Sequence, residues 1–493
     1  MKKLLAVAIF VCAASLLWAE APSAGDTALT IYNGNFAVVR NRLTLDLTAG
    51  VNTVDFAGTT TMLEPDSVIL RDPTGARRLQ VLEQNYRNDP VTQELLLSLY
   101  EGKTIDFLVP SRDGRDQVIV KGKIIRSGYV SHTGYNNTPY QQPIIEVDGQ
   151  LRFSLPGQPL FPALTGDTIL KPRLTWQLET DKPGKFDAEV AYVTGGMSWQ
   201  ADYNLVAPVK GDTIDLVGWV TINNQSGSAF ENARIKLLAG DVNKIQNRDM
   251  ELRAAKSAAM DMVRNEAAAP AVTERSFDEF HMYTLERPTT LHDHEMKQVE
   301  FVSAASVTSK RLYVYDGFNQ GYYGYYPSEQ ARVERDFGLQ SNNKVYVVQE
   351  FQNSKANNLG MPLPKGRLRF YRRDIDGHLE FTGESMIDHT PKDETVRVYT
   401  GNAFDLVGNR KRTNFQIDSN GHWMDETFEI HLRNHKSEAV TFTVMEHMYR
   451  WTNWKIVQQS HPWTKKDAQL VQFAVQVPAN GEQVVTYTVH YSW

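Results

Sequence analysis

A chain of 493 residues with 58 acidic and 52 basic side chains carries a net charge of −6, so a polyanion such as nucleic acid is repelled on average and is not an expected partner. The one cysteine, Cys12, can form no disulfide within the chain and completes no cysteine zinc site. The length leaves room for several domains of about 100–200 residues, each able to bury its own apolar core.

Met1-Lys2-Lys3 followed by the apolar run Leu4 to Trp18 reads as a secretory signal, residues 1–19, with Ala19 or Ala21 as the cleavage point. The protein is therefore expected to be exported, to the periplasm or the cell surface. The run is short for a membrane span, which makes a signal anchor the lesser reading, and no later window approaches 18 apolar residues, so no transmembrane helix is expected. Loss of Lys2 and Lys3 takes the charge from −6 to −8. Ile9-Phe10-Val11 before Cys12 lacks the small residue that precedes a lipid-modified cysteine, so the mature chain holds no thiol.

Residues 26–100 read as a mixed β domain, with strands over Ala28 to Ile31 and Val51 to Phe56 and one or two helical turns over Gln93 to Tyr100. Residues 102–171 carry short strands at Thr104 to Val109, Gln117 to Ile125, Ile144 to Val147 and Leu151 to Ser154, the pattern of a small barrel. From 172 to 343 a β-sandwich is expected. Within it Phe186, Ala188, Val190 and Tyr192 alternate with Asp187 and Glu189, Ile214, Leu216, Val220 and Ile222 alternate with Asp215, Thr221 and Asn223, and Ala233, Ile235, Leu237 and Ala239 resume the period. An alanine- and charge-rich insert at 244–275 interrupts it as a loosely held helix or disorder, since alanines bury little area. A final sandwich is expected at 344–493. Asn33-Gly34, Asp113-Gly114, Asp148-Gly149, Asp316-Gly317, Asp376-Gly377, Asn420-Gly421 and Asn480-Gly481 supply tight-turn chemistry between alternating runs, which argues for antiparallel pairing throughout. The fold class is all-β, in several sandwich or small-barrel domains.

Tyr192-Val193-Thr194-Gly195-Gly196, Ser198-Trp199, Ala201-Asp202-Tyr203, Gly218-Trp219-Val220, Asn224 with Ser226-Gly227, and Ala239-Gly240-Asp241-Val242 stand together, followed in order by Leu359-Gly360, Pro362-Leu363-Pro364, Gly366, Thr382-Gly383-Glu384, Phe404-Asp405-Leu406 and Arg410-Lys411. In these residues the chain resembles the bacterial domain-of-unknown-function family 4139, related to mucoidy-inhibitor-A-like proteins. The resemblance spans most of the mature chain and implies an exported, mostly β protein with no established active site. The long coiled-coil insertion common in the mucoidy-inhibitor branch is not expected, because no sustained heptads occur.

Four candidates for chemistry arise. His292-Asp293-His294-Glu295 would set two imidazoles on one side of an extended strand, where a divalent metal needs His281 or a distant carboxylate as well; the alternative is a polar loop. Asp374-Ile375-Asp376-Gly377 echoes the start of a calcium loop, but Ser385 falls where the bidentate glutamate belongs, so a hairpin tip is expected. Tyr322, Tyr323, Tyr325 and Tyr326, with Tyr313, Tyr315 and Phe318 and interleaved glycines, form either a recognition surface or a folded-over cap on the sandwich. Val485, Tyr487, Val489, Tyr491 and Trp493 match both the closing strand of an outer-membrane barrel and the last strand of a sandwich, and the charged faces of the other strands favour the sandwich. Trp451, Trp454 and Trp463 are expected in core or interface packing.

No G-x-S-x-G, H-E-x-x-H, G-x-x-x-x-G-K or G-x-G-x-x-G motif occurs, and no cofactor is implied. The first expectation is a non-enzymatic binding or structural module of the cell envelope that recognises an envelope protein or a glycan. The alternative is a periplasmic hydrolase with a metal or acid/base site near His292 and His294.

Overall fold

The computed structural model describes residues 17–18, 27–88, 91–111, 116–129, 142–162, 169–244, 272–318, 333–339, 341–418, 420 and 422–493. With 64% of the described residues in strands and 3% helical, the fold is all-β, as the period-two patterns predict. No described helix is long and apolar enough to cross a membrane. The expected signal lies outside the described residues except Leu17–Trp18, which pair in parallel with Val54 and Asp55. Two compact units form: residues 1–198, 223–237 and 287–297, and residues 199–222, 238–286 and 298–493.

In the first unit, Gly184–Gly195 pairs antiparallel with Phe36–Leu47 from end to end, and Thr27–Tyr32 and Ile69–Arg71 extend the ladder on either side. Arg173–Thr180 lies between Gly50–Ala57 and Leu79–Arg87. The alternation read from Ala188, Val190 and Tyr192 is the buried face, opposed by Val39 and Leu43, while Asp187 is exposed. Leu174, Trp176 and Leu178 are buried with Val54 and Phe56, each large apolar side chain contributing roughly 1.5–3 kcal/mol by its removal from water. Residues 173–195, read from sequence with the following sandwich, thus supply strands to the N-terminal sheets, because their partners offer apolar faces of matching length.

Within the same unit a five-stranded sheet runs Gln150–Arg152, Ile144–Val147, Gln117–Arg126, Thr104–Pro110, Gln158–Leu160. It stays open where a small barrel is expected from the strand spacing, its outer strands being only three residues each. The predicted helical turns are the helix Gln93–Leu99, capped by the Thr92 hydroxyl, which accepts from Leu95 N at 3.1 Å. Leu97 seals the sheet's apolar face against Phe107, Ile124 and Ile145. At Asp148-Gly149 both φ angles are positive, 51° and 75°, as a two-residue hairpin turn requires.

The second unit holds a curled sheet and a sandwich. In the curled sheet the order is Leu379–Ile387, Gly366–Arg373, Met197–Ala207, Thr213–Asn224, Glu295–Tyr315, Lys344–Gln352, Thr395–Asp418. Lys344–Gln352 is antiparallel to both Glu295–Tyr315 and Thr395–Asp418, and Gly366–Arg373 is antiparallel to Leu379–Ile387 but parallel to Met197–Ala207. Tyr203, Tyr283 and Phe301 pack edge to face in its interior, and the Tyr203 and Tyr283 hydroxyls donate to Pro364 O and Pro362 O at 2.7 and 2.9 Å. Asp374-Ile375-Asp376-Gly377 is a hairpin tip, with Gly377 N donating to Asp374 O at 3.0 Å.

In the sandwich, Trp423–Asn434 pairs with Thr395–Asp418 and with Gly481–Ser492, while Val440–His447 pairs with Leu470–Val477. Val485, Tyr487, Val489 and Tyr491 face Phe428, Phe442 and Phe473 in one core, so this is the last strand of a sandwich, and Trp451, Trp454 and Trp463 pack at the margin of that core. Asn480-Gly481 does not join a ladder: Leu470–Val477 and Gly481–Ser492 pair with different strands, and the turn at Asn480, φ 49°, carries the chain from one layer to the other. Residues 245–271, the body of the expected insert, lie outside the described residues; from Val272 the chain already forms the hairpin Val272–Phe277 with Phe280–Leu285.

Candidate functional site

The curled sheet brings its first and seventh strands together without a ladder between them. A Cβ on Gly383, whose φ is +153°, would stand 2.1 Å from Thr400 O, so only glycine permits this approach. At that end of the sheet lies a cavity of about 210 Å³. Leu205, Val347 and Phe370 form its apolar wall, and Arg311, Arg372, Thr382, Thr400 and Asn402 bring polar groups to it. Among the described residues no carboxylate lines it. Arg372 Nη1 donates to Pro208 O at 2.7 Å, which fixes the guanidinium without neutralising it. Glu380 stands opposite Arg372 in the ladder but no ion pair joins them within the described residues. The exposed Arg311 side chain has neither ion pair nor hydrogen bond among the described residues. The Thr382 and Thr400 hydroxyls donate to Phe370 O and Val347 O, which leaves their oxygens as acceptors, and Asn402 Oδ1 accepts from the Tyr399 hydroxyl at 3.2 Å.

A second concentration of charge lies inside the sandwich. Period two along Trp423–Asn434 turns Glu426 inward between Met424 and Phe428, and along Val440–His447 it turns Glu446 inward after Val444; both carboxylates have zero exposure. Arg410 Nε donates to both Glu446 oxygens at 3.0 and 2.9 Å, and the Tyr487 hydroxyl donates to Glu446 as well. Glu426 Oε1 receives Arg412 Nη1 at 2.8 Å and Arg450 Nη2 at 2.9 Å, and the Tyr449 hydroxyl donates to it. Burial opposes the Arg410 charge, but Glu446, Tyr487 and Tyr449 outweigh it and hold its pKa above the ordinary arginine value. Burial likewise pushes the Tyr487 and Tyr491 hydroxyls well up and Tyr315 up to about 12, so these tyrosines stay neutral.

Three guanidiniums face two carboxylates here. The same guanidiniums also reach backbone: Arg450 Nη1 to Glu334 O at 2.7 Å, Arg450 Nη2 to Phe337 O at 3.0 Å, Arg410 Nη1 to Gly338 O at 3.1 Å, and Arg412 Nη2 to Arg335 O, while the buried Arg410 Nη2 makes no hydrogen bond among the described residues. Gly338, φ +74°, has no room for a Cβ, which would meet the Tyr449 ring at 2.5 Å. Upstream, Asp316 Oδ2 pairs with His447 Nε2 at 2.9 Å, and Phe318 stacks on Tyr449 with centroids 4.8 Å apart. Burial pulls the His447 pKa down, but Asp316 and Glu446 outweigh it, so it stands above the usual histidine value. The cluster therefore clamps both 316–318 and 334–338, the stems on either side of the tyrosine stretch. Tyr322, Tyr323, Tyr325 and Tyr326 themselves lie outside the described residues.

His292 and His294 sit in a turn of the first unit, both exposed, His294 at φ 57°. Its polar groups hold backbone: Asn224 Nδ2 donates to His292 O at 2.9 Å, Asp293 Oδ1 accepts from Gly227 N at 3.0 Å, and Glu295 Oε2 accepts from His292 N at 2.7 Å. His281, the suggested third ligand, belongs to the second unit and pairs with Glu274 at 2.7 Å. Among the described residues no group of three or more His, Cys, Asp or Glu is placed to hold a metal ion. Arg311, Arg372, Glu426 and Glu446 are not among the site residues expected from sequence: Arg311 and Arg372 carry no linear motif and come from strands far apart in sequence, whereas the alternation around Glu426 and Glu446 is a signal that could have found them. Compared with models of known families the chain matches none, and no curated protein matches it.

Proposed function

We propose that this chain is an exported, non-catalytic binding protein of the cell envelope, of the kind implied by its resemblance to domain-of-unknown-function family 4139, and that the tyrosine stretch containing Tyr322, Tyr323, Tyr325 and Tyr326 recognises an envelope protein or a glycan. The observation that supports it is the buried clamp: Arg410, Arg412 and Arg450 fix the carbonyls of residues 334–338 while Asp316 and Phe318 are held against His447 and Tyr449. Stems fixed in this way lower the entropic cost of presenting a recognition segment. Glu426 and Glu446, the carboxylates that acid/base chemistry would call on, are sealed from any substrate and saturated by arginine, which favours a framework role for them.

The experiment is capture from an envelope extract by the mature protein and by the Tyr322→Ala, Tyr323→Ala, Tyr325→Ala, Tyr326→Ala variant. The expected result is loss of the captured partner with a nearly unchanged Tm. A collapse of Tm would assign the tyrosines to the core, and equal capture by both proteins would remove them from recognition.

A further inference from the structure

The geometry points to a second binding site: we propose that the cleft at the end of the curled sheet takes a small organic anion, a single ring or short chain carrying one carboxylate or phosphate, with Arg311 and Arg372 receiving the negative group. At about 210 Å³ the cavity is smaller than the roughly 300–1,000 Å³ of sites for drug-sized ligands, which limits the occupant to a molecule of monosaccharide size. Among the described residues two arginines line it and no carboxylate does, in a chain whose overall charge is −6. A local positive cleft on an acidic protein selects against the mean field, and guanidinium presents the paired donors that carboxylate and phosphate oxygens accept.

The two arginines differ in a useful way. Arg372 is anchored by Pro208 O at 2.7 Å, so its charge is positioned in advance. Arg311 is uncommitted among the described residues and can close on a ligand. Beside them, Thr382 and Thr400 offer hydroxyl oxygens as acceptors, and the Asn402 amide nitrogen makes no hydrogen bond among the described residues and is available as a donor. Leu205, Val347 and the largely buried Phe370 give the wall an apolar part for the ligand's carbon skeleton. This site does not rest on the tyrosine stretch, and its failure would leave that reading untouched.

The test is isothermal titration calorimetry of the full chain at low salt with glucuronate, glucose 6-phosphate, glucose and inorganic phosphate. Binding of at least one anionic sugar, none of glucose, and weakening by 0.5 M salt are expected; the tighter of the two anionic sugars identifies the preferred head group. Arg311→Gln, on an exposed side chain, should keep the wild-type Tm and bind about tenfold or more weakly, in keeping with loss of a charge-assisted hydrogen bond. Arg372→Gln should weaken binding at least as much. The proposal is overturned if no anionic sugar binds more tightly than glucose, if inorganic phosphate alone binds, or if both variants bind like the wild type.

Discussion

Arg410 Nε lies 3.0 and 2.9 Å from the two oxygens of Glu446, in the middle of an apolar core, with both side chains essentially without exposure. The pair joins two strands that do not pair with each other, Thr395–Asp418 and Val440–His447, and so ties one layer of the sandwich to the other. A buried pair of this kind is costly to form and more costly to break, since removal of one partner strands the other charge away from water.

Glu446→Ala should therefore lower the stability of the second unit by about 3–5 kcal/mol, whereas Arg410→Met combined with Glu446→Leu should lose much less. Urea unfolding of the two variants and of the wild type gives the comparison. Equal losses would mean that packing, and not stranded charge, sets the cost.

Gly383→Ala places a methyl group where Thr400 O stands at 2.1 Å and forces a non-glycine residue to φ +153°. The first and seventh strands of the curled sheet must then separate, at a cost of at least about 1–3 kcal/mol. The expected signs are a lower urea midpoint and altered amide shifts at Thr382, Thr400 and Asn402 around the cleft. A variant as stable as the wild type would show that the approach is not tight in solution.

His431 sits between Glu482 and Glu429, with each imidazole nitrogen 2.5 Å from a carboxylate oxygen. The hydrogen bond to Glu482 is the largest influence and raises its pKa; burial, next in size, opposes it, and the hydrogen bond to Glu429 with the charges of both carboxylates carries the pKa above the usual histidine value. A folded-state pKa above the unfolded one gives stability that is fully present below about pH 6.5 and is lost as the pH rises through the folded value. His431→Gln should therefore cost stability at about pH 5.5 and little at about pH 9, both read from thermal unfolding. A pH-independent difference would show that the imidazolium is not what holds the two glutamates.

Asn224 has zero exposure, and its amide donates to Ser228 O and His292 O while its carbonyl accepts from Ser226 N and Oγ. Asn224→Ala leaves these groups without partners and should cost about 1–3 kcal/mol per stranded buried group. His292→Ala and His294→Ala, on exposed side chains, should leave Tm within about 1 °C, since surface changes move stability by only about 0.5 kcal/mol. Added zinc that raised the wild-type Tm but not that of the histidine variants would restore the metal reading of this turn.

Strand periodicity and turn dipeptides made the all-β class legible, because in a half-buried strand the side-chain alternation is the burial alternation, as Ala188, Val190 and Tyr192 against Asp187 show. Partner choice was less legible. Asn480-Gly481 reads as a hairpin, yet Val477 and Val485 both face the same core from opposing layers, a relation that local pattern does not distinguish from pairing. Arg173–Thr180 and Gly184–Gly195 likewise chose partners far upstream, in Gly50–Ala57 and Phe36–Leu47, more than a hundred residues away. Glu426 and Glu446 could have been found as acids in inward register, but their arginine partners required the third dimension. The cleft left no trace in the sequence, since Arg311 and Arg372 meet only when the sheet curls.

The strand Thr395–Asp418 is 24 residues long and changes partners along its course. Its first part, Thr395 to Val407, pairs with Lys344–Gln352 of the curled sheet, and from Leu406 onward it pairs with Trp423–Asn434 of the sandwich. One covalent backbone is thus a common beam of both halves of the second unit. Melting either half would cut hydrogen bonds the other relies on, so the two should lose amide protection together, as a single cooperative block with no separable foldons.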